Sequence, residues 1–392
     1  MTPFRTLSAA GFAATAITYG PARMGFGLFL PQFKPAFSMS TGTAGLISSL
    51  GFLCFVLALL VSQFMTSQRG ARLPVICGLI AATAGLAIIA AAPNLPVLCL
   101  GVILAMSSAG LSWTPFNAAV HCSLDDATRP AALSLISTGT SVGIVVAGAS
   151  ALLLSASGIS WRLCWAAFAL ASAGALLANW AALRSAGTTA RAQDPPRSIR
   201  DLVQPIILPL LGTGLCFGTT SAIYITFAAD RIAGAEGSAG LPAGMAAGLI
   251  FVVYGVCGLA GLFTGRVKRL INLAWLLRGL MGISALSLAL IALAPASWVA
   301  IVLSAGLQGV FVMMTSAVLA FWCERLFPSL PSVSFTLALL VAGTGSVIGP
   351  AVAGFISDAL GWIPMFLGAA ALPGAAAFAI QPGFLQERPA PA

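Results

Sequence analysis

The sequence predicts an all-α membrane protein with twelve transmembrane helices in two pseudo-symmetric six-helix halves. Of its 392 residues, 59% are hydrophobic and only 7% charged, against roughly 25% charged in a soluble domain. The apolar residues fall in long runs separated by Pro, Gly or charge, and each bilayer crossing needs about 20 of them. Twelve crossings use roughly 240 residues and leave only short connections. The runs lack the two-residue alternation of a membrane β-barrel. The 42 Gly and 23 Pro suit membrane helices, which tolerate both better than soluble helices do.

The first six runs lie at about 8–32, 43–66, 73–92, 96–119, 131–156 and 161–183. The polar stretch around Pro195-Pro196 reads as a linker. Six further runs follow at about 204–229, 243–264, 272–294, 298–322, 333–357 and 361–381. The predicted organisation is therefore an N-terminal half, 1–185, a cytoplasmic linker, 186–203, and a C-terminal half, 204–392.

Basic residues set the orientation, because Lys and Arg are retained on the cytoplasmic side during insertion. With the N-terminus inside, most of the 18 basic residues sit at or near the cytoplasmic face; Lys34, Arg162 and Arg231 fall outside and Arg23 within the first crossing. Both termini are then cytoplasmic, and the first run is expected to stay as a signal anchor. The net charge of +9 reports topology and contact with anionic headgroups and leaves no soluble basic surface for nucleic acid. The eight Cys are scattered singly without C-x-x-C, there is one His, and no phosphate-binding loop is present. These counts give no basis for a metal, a cofactor or an enzyme.

An offset of about 200 residues aligns landmarks of the two halves. Gly110 pairs with Gly309, Gly139-Thr140 with Gly343-Thr344, and Gly158 with Gly361. The common order points to two six-helix repeats around a cavity.

The two repeats, the basic central loop, Gly349-Pro350 followed by Gly354 and Asp358, and Trp161-Arg162 after Gly158 resemble the major facilitator superfamily. The stretch Tyr19-Gly-Pro-Ala-Arg-Met-Gly-Phe-Gly-Leu-Phe-Leu-Pro31 is similar to the first helix of a bacterial, cyanate-permease-like or uncharacterised branch. The family's loop motif after the second helix is reduced here to Gly70 and Arg72, with Gln63 and Ser67 at its first Gly and its Asp. The loop after the eighth helix keeps Gly265, Arg266, Lys268 and Arg269. The resemblance implies a monomeric permease working by alternating access.

Arg23 is the most informative residue, since a charge inside the bilayer costs from about 3 to over 10 kcal/mol unless compensated. It is expected near the midplane, where carriers bind substrate. Gly20 and Pro21 predict a kink just before it, which can serve as a gating hinge; Gly349 and Pro350 are the corresponding candidates in the eleventh crossing. Tyr19 lies one turn before Arg23. A guanidinium there suits a carboxylate, which it binds bidentately; the alternative is a structural Arg bonded to carbonyls freed at the kink. All nine acids map to loops or helix ends, leaving none to neutralise Arg23.

The fourth crossing carries a polar stripe of Gly110, Thr114, Asn117 and His121, with Trp113 beside it able to stack on a planar solute or to pack between helices. Thr220 and Tyr224 in the seventh crossing, with Gln308 and Thr315 in the tenth, offer matching polar groups, although such groups also bond to their own helices. His121 and Asp230 are the candidates for proton coupling. The reading is a secondary transporter of a small organic solute, expected to be anionic, with facilitated diffusion or exchange favoured over proton symport. The alternative is a broad-specificity exporter of drugs or toxic compounds, its cavity lined by some of the 23 Phe and 8 Trp.

Overall fold

The computed structural model describes residues 3–184, 205–235, 245–327 and 331–380; the predicted linker, 186–203, lies outside them. The described residues form helices without strands. Eleven helical stretches among them are long and apolar enough to cross a membrane. The twelfth crossing is the first, which is divided into α1 (Pro3–Tyr19), α2 (Pro21–Leu28) and α3 (Leu30–Ala36). The predicted kink at Gly20-Pro21 is thus a complete break. A second break at Phe29 precedes Pro31, whose missing N–H removes the bond to the Gly27 carbonyl.

The chain continues through α4 (Thr41–Arg69), α5 (Arg72–Ala91), α6 (Leu95–Ser123), α7 (Arg129–Ala156) and α8 (Trp161–Ala182). Then come α9 (Leu208–Ala233), α10 (Met245–Gly258), α11 (Thr264–Leu270), α12 (Leu273–Leu293), α13 (Trp298–Leu326), α14 (Pro331–Leu360) and α15 (Trp362–Ala379). A 3-10 turn, Leu259–Phe263, joins α10 to α11. Gly265, Arg266, Lys268 and Arg269 therefore lie in α11 and not in the loop expected for them. Asn94, Ser160, Asn272 and Ser297 cap α6, α8, α12 and α13 by accepting backbone N–H bonds, which satisfies donors a helix start leaves unpaired.

Two compact units make up the fold. The first contains Met1–Ser40, Leu50–Gln193 and Leu241–Gly255; the second contains Thr41–Ser49, Asp194–Gly240 and Val256–Ala392. In the first, α1 packs on α7, and α5 on α6 and α8. The second repeats these pairings with α9 on α14, and α12 on α13 and α15, which is the pseudo-symmetry expected from the glycine offsets.

Within the first unit, α1 and α7 touch backbone to backbone. A Cβ on Gly143 would strike the Ala16 carbonyl, and one on Gly20 the Gly143 backbone. Thr15 donates across the same contact to the Ile136 carbonyl at 2.7 Å. The equivalent contact in the second unit joins α9 to α14, where a Cβ on Gly218 would strike the Ala342 carbonyl and Ser346 donates to the Gly218 carbonyl at 3.2 Å. Small residues and carbonyl-directed hydroxyls are how membrane helices associate where lipid removes the hydrophobic drive. Large apolar side chains such as Leu153, Leu170, Leu177, Val299 and Phe378 are exposed, as lipid contact requires.

Each unit also takes in the first turns of a helix from the other half of the sequence. Met245–Gly255 of α10 packs on α7 in the first unit, with Gly248 against the Gly148 carbonyl at 2.8 Å from an added Cβ. Thr41–Ser49 of α4 packs on α14 in the second, where a Cβ on Gly45 would strike the Pro350 carbonyl. Asp358, in the last turn of α14, caps this end of α4: Thr41 N donates to its Oδ1 at 3.1 Å and Gly42 N to its Oδ2 at 2.8 Å. Ala351 N donates to Ser49 Oγ at 2.9 Å, and the Ser48 and Thr226 hydroxyls are 2.7 Å apart.

Candidate functional site

The break at Gly20 positions Arg23. Gly20 adopts φ −76° and ψ −101°, Pro21 contributes no N–H, and the helix resumes as Met24 N donates to the Gly20 carbonyl at 2.9 Å. Glycine is needed twice here, for the break and for the Gly143 backbone lying against it.

Arg23 is half-buried in the first turn of α2. Its guanidinium carbon lies over three rings, 5.3 Å from the Tyr19 centroid, 5.6 Å from Phe52 and 4.3 Å from Phe55. Tyr254 of α10, in the same unit, is close enough to interact electrostatically. Its Nε is shielded and unpaired, and among the described residues no hydrogen bond or ion pair engages the group. Ring faces stabilise a cation by about 0.5–2 kcal/mol each but leave the in-plane N–H donors unused.

Other arginines are held differently. Arg162 donates to the Ala90 and Ala92 carbonyls at 3.2 and 2.7 Å. Arg231 donates to Ala292 at 3.2 Å and Arg278 to Ala377 at 3.0 Å. Each closes the carbonyl end of a neighbouring helix, the role considered as the structural alternative for Arg23; there, rings stand where carbonyls would.

The sequence pointed to Tyr19 beside Arg23, and the structure brings them together. It did not single out Phe52, Phe55 or Tyr254. The signal available was two aromatics at i, i+3 in the middle of an apolar helix, and the third of only three Tyr. Gly110 of α6 packs against the Phe55 backbone, so the fourth-crossing stripe begins at the level of this cage. Trp113, Thr114 and Asn117 follow on α6, half-buried, without a hydrogen bond from their side chains among the described residues. His121 is exposed, and its carbonyl accepts from Arg129 at 2.9 Å.

The remaining candidates lie in the second unit. Thr220 donates to its own helix, at the Cys216 carbonyl, at 2.8 Å. The Tyr224 hydroxyl is 3.2 Å from Ser304 Oγ, in a cluster where Ser287 donates to the Ser304 carbonyl at 2.9 Å. Gln308 and Thr315 are fully buried on α13, with their side-chain polar atoms unpaired. Asp230 is buried near the end of α9. Gly349 packs against the Thr219 carbonyl, and α14 runs through Pro350 without the interruption seen at Pro21. No cluster of three or more His, Cys, Asp or Glu able to hold a metal occurs among the described residues, and all eight cysteines are free thiols.

Comparison with solved structures finds the same fold. A bacterial homologue of the human lysosomal transporter Spinster, inward-facing and unoccupied, has a TM-score of 0.77 at 17% identity, with both chains covered fully. Its inward-facing occupied form gives 0.73 at 17% identity, again over 100% of each chain. A mutant of the nucleoside transporter NupG gives 0.75 at 14% identity over 98% of this chain and 100% of that one. A search of curated proteins returns no match. The profile described as Major Facilitator Superfamily matches residues 12–267, well over half of the sequence. The chain belongs to the major facilitator superfamily and is a membrane transporter, not an enzyme.

Proposed function

We propose that this transporter moves a small organic anion across the bacterial inner membrane by alternating access, with both termini cytoplasmic and the protein acting as a monomer. The observation that carries the reading is the Arg23 guanidinium, half-buried among the Tyr19, Phe52 and Phe55 rings with its N–H donors unpaired. The rings keep the charge tolerable at depth, and the donor edge suits a planar carboxylate. Docked end-on, a carboxylate would take the two terminal nitrogens in the parallel geometry that makes such pairs strong. Trp113, Thr114 and Asn117 extend the site along α6; within the second unit, Thr220, Tyr224, Gln308 and Thr315 are the candidate substrate contacts.

Among the described residues no carboxylate pairs with Arg23, so substrate charge is its natural counter-ion. This favours facilitated diffusion or anion exchange; proton symport would fall to His121 or Asp230. Gly20-Pro21 and Gly349-Pro350 serve as hinges. Ligand-induced thermal stabilisation of the purified protein and of Arg23→Ala tests the reading, with small carboxylates, inorganic anions, neutral metabolites and lipophilic cations as the panel. Stabilisation of wild type but not of folded Arg23→Ala by a carboxylate is expected. Equal stabilisation of both proteins by lipophilic cations, with no response to anions, would replace it with the broad-specificity exporter.

A further inference from the structure

The second unit contains a buried polar layer around Gln308. Two contacts fix the antiparallel register of α9 and α13. The Tyr224 hydroxyl meets Ser304 at 3.2 Å; seven residues back along α9 and seven forward along α13, the Phe217 and Phe311 rings meet at 5.7 Å between centroids. Between these two contacts the register sets Ser221 opposite Gln308. The Ser287–Ser304 pair, 3.1 Å between hydroxyls, fixes α12 against α13 in the same way and brings Ser284 to that level. At 1.5 Å per residue the three positions lie about 4.5 to 6 Å along their helices from the Tyr224–Ser304–Ser287 cluster.

Gln308 and Ser284 are completely buried and Ser221 is 6% exposed. Their polar atoms, both ends of the Gln308 amide and the two hydroxyls, have no hydrogen-bond partner. The surroundings are apolar, with Leu277, Leu280, Met281, Phe311 and Met314 in one buried cluster. Three helices therefore place unsatisfied donors and acceptors at one level of an apolar core, where an unpaired polar group is costly and an apolar side chain of the same volume would cost nothing. A buried amide offering a donor and an acceptor, flanked by hydroxyls, matches a small neutral group that also donates and accepts.

We propose that Gln308, Ser221 and Ser284 form a binding site for an uncharged hydroxyl group, supplied by a water molecule or by the hydroxyl of a polar solute. The site lies wholly within the second unit and rests on the reading of Gln308 as a substrate contact but not on Arg23, so it can fail while the Arg23 reading holds. Thr315, two turns further along α13 and equally buried and unpaired, continues the polar side of the helix.

X-ray hydroxyl-radical footprinting of the purified protein in ¹⁸O-water reads the site directly, because bound water generates radicals beside otherwise inaccessible side chains. Met281, one turn from Ser284 and 0% exposed, is the reporter; Met106, 1% exposed in the first unit, is the control. The expected result is oxidation of Met281 several-fold faster than Met106 in wild type, falling to the Met106 rate in Gln308→Leu. Ser284→Ala, which removes a single hydroxyl, gives an intermediate rate and covers the case in which Gln308→Leu does not fold. Adding meso-erythritol, with an exposed Met correcting for scavenging, separates the sources. Suppression of Met281 oxidation identifies a solute hydroxyl, and unchanged oxidation identifies water. Met281 oxidation no faster than that of Met106 in wild type would overturn the proposal. So would a higher melting temperature for Gln308→Leu, which would mean that leucine relieves an empty polar layer.

Discussion

Arg23→Lys separates the charge of Arg23 from its shape. Lysine keeps a cation beside the Tyr19, Phe52 and Phe55 rings, which lie 4.3 to 5.6 Å from the guanidinium carbon, so a purely structural charge would survive the change. It loses the planar fork, and a bound carboxylate would drop from two parallel charge-assisted bonds to one. A hydrogen bond to a charged group contributes about 1.5–3 kcal/mol, which corresponds to roughly 10- to 150-fold in Kd. At a ligand concentration of 100 Kd for wild type the stabilisation is about 2.7 kcal/mol. A 30-fold weaker variant at the same concentration retains about 0.9 kcal/mol by the same relation. The assay is a thermal titration of wild type, Arg23→Lys and Arg23→Ala with whichever carboxylate stabilises wild type, run beside an uncharged analogue. Undiminished anion stabilisation in Arg23→Lys would refute bidentate recognition, and undiminished stabilisation in Arg23→Ala would remove Arg23 from the site altogether.

Further outcomes follow from packing and capping. Gly218→Ala sets a methyl group against the Ala342 carbonyl of α14; with backbone on both sides, it is expected to destabilise by about 1–3 kcal/mol. Gly212→Ala, on the same helix with open space around it, should be neutral or stabilising by up to about 1 kcal/mol, and equal melting temperatures for the two would contradict the close approach. Asp358→Ala removes the cap on α4 and is expected to cost about 0.5–2 kcal/mol, with faster amide exchange at Thr41 and Gly42 as its local signature. Thr15→Val deletes the bond to the Ile136 carbonyl and should lower stability by about 1 kcal/mol, measured by thermal denaturation in detergent.

Much of the fold was legible because hydrophobic run length and basic-residue placement are strong signals in a membrane chain. Gly20-Pro21 announced the break before Arg23, and the near-constant glycine offset announced the repeated helix pairs. The first apolar run ends near residue 32, yet a proline tolerated at a helix start allows a new helix, and α3 continues to Ala36. The extension of the eighth crossing through α11 was hidden because basic residues read as loop, although their long apolar stems let them sit on a helix end at the headgroups. Tyr19 was found by its spacing from Arg23. Phe52 and Phe55 come from another helix, and that contact depends on how α4 packs, which spacing along α2 cannot encode. Tyr224 was singled out as a polar ring, but its engagement by Ser304 depends on the α9–α13 register.

The allotment of Thr41–Ser49 to the second unit and Leu241–Gly255 to the first bears on how such a protein can be built and rebuilt. A gene fragment ending at the central linker would encode the first unit without its α10 turns and would carry α4 turns whose Asp358 cap lies on the other fragment. Each fragment is therefore expected to lack contacts that the other supplies. Separately expressed halves are expected to be protease-sensitive until mixed. A chimaera that exchanges one half with a relative would have to exchange the matching helix starts too, so the cut points for recombination fall inside α4 and α10 rather than at the linker.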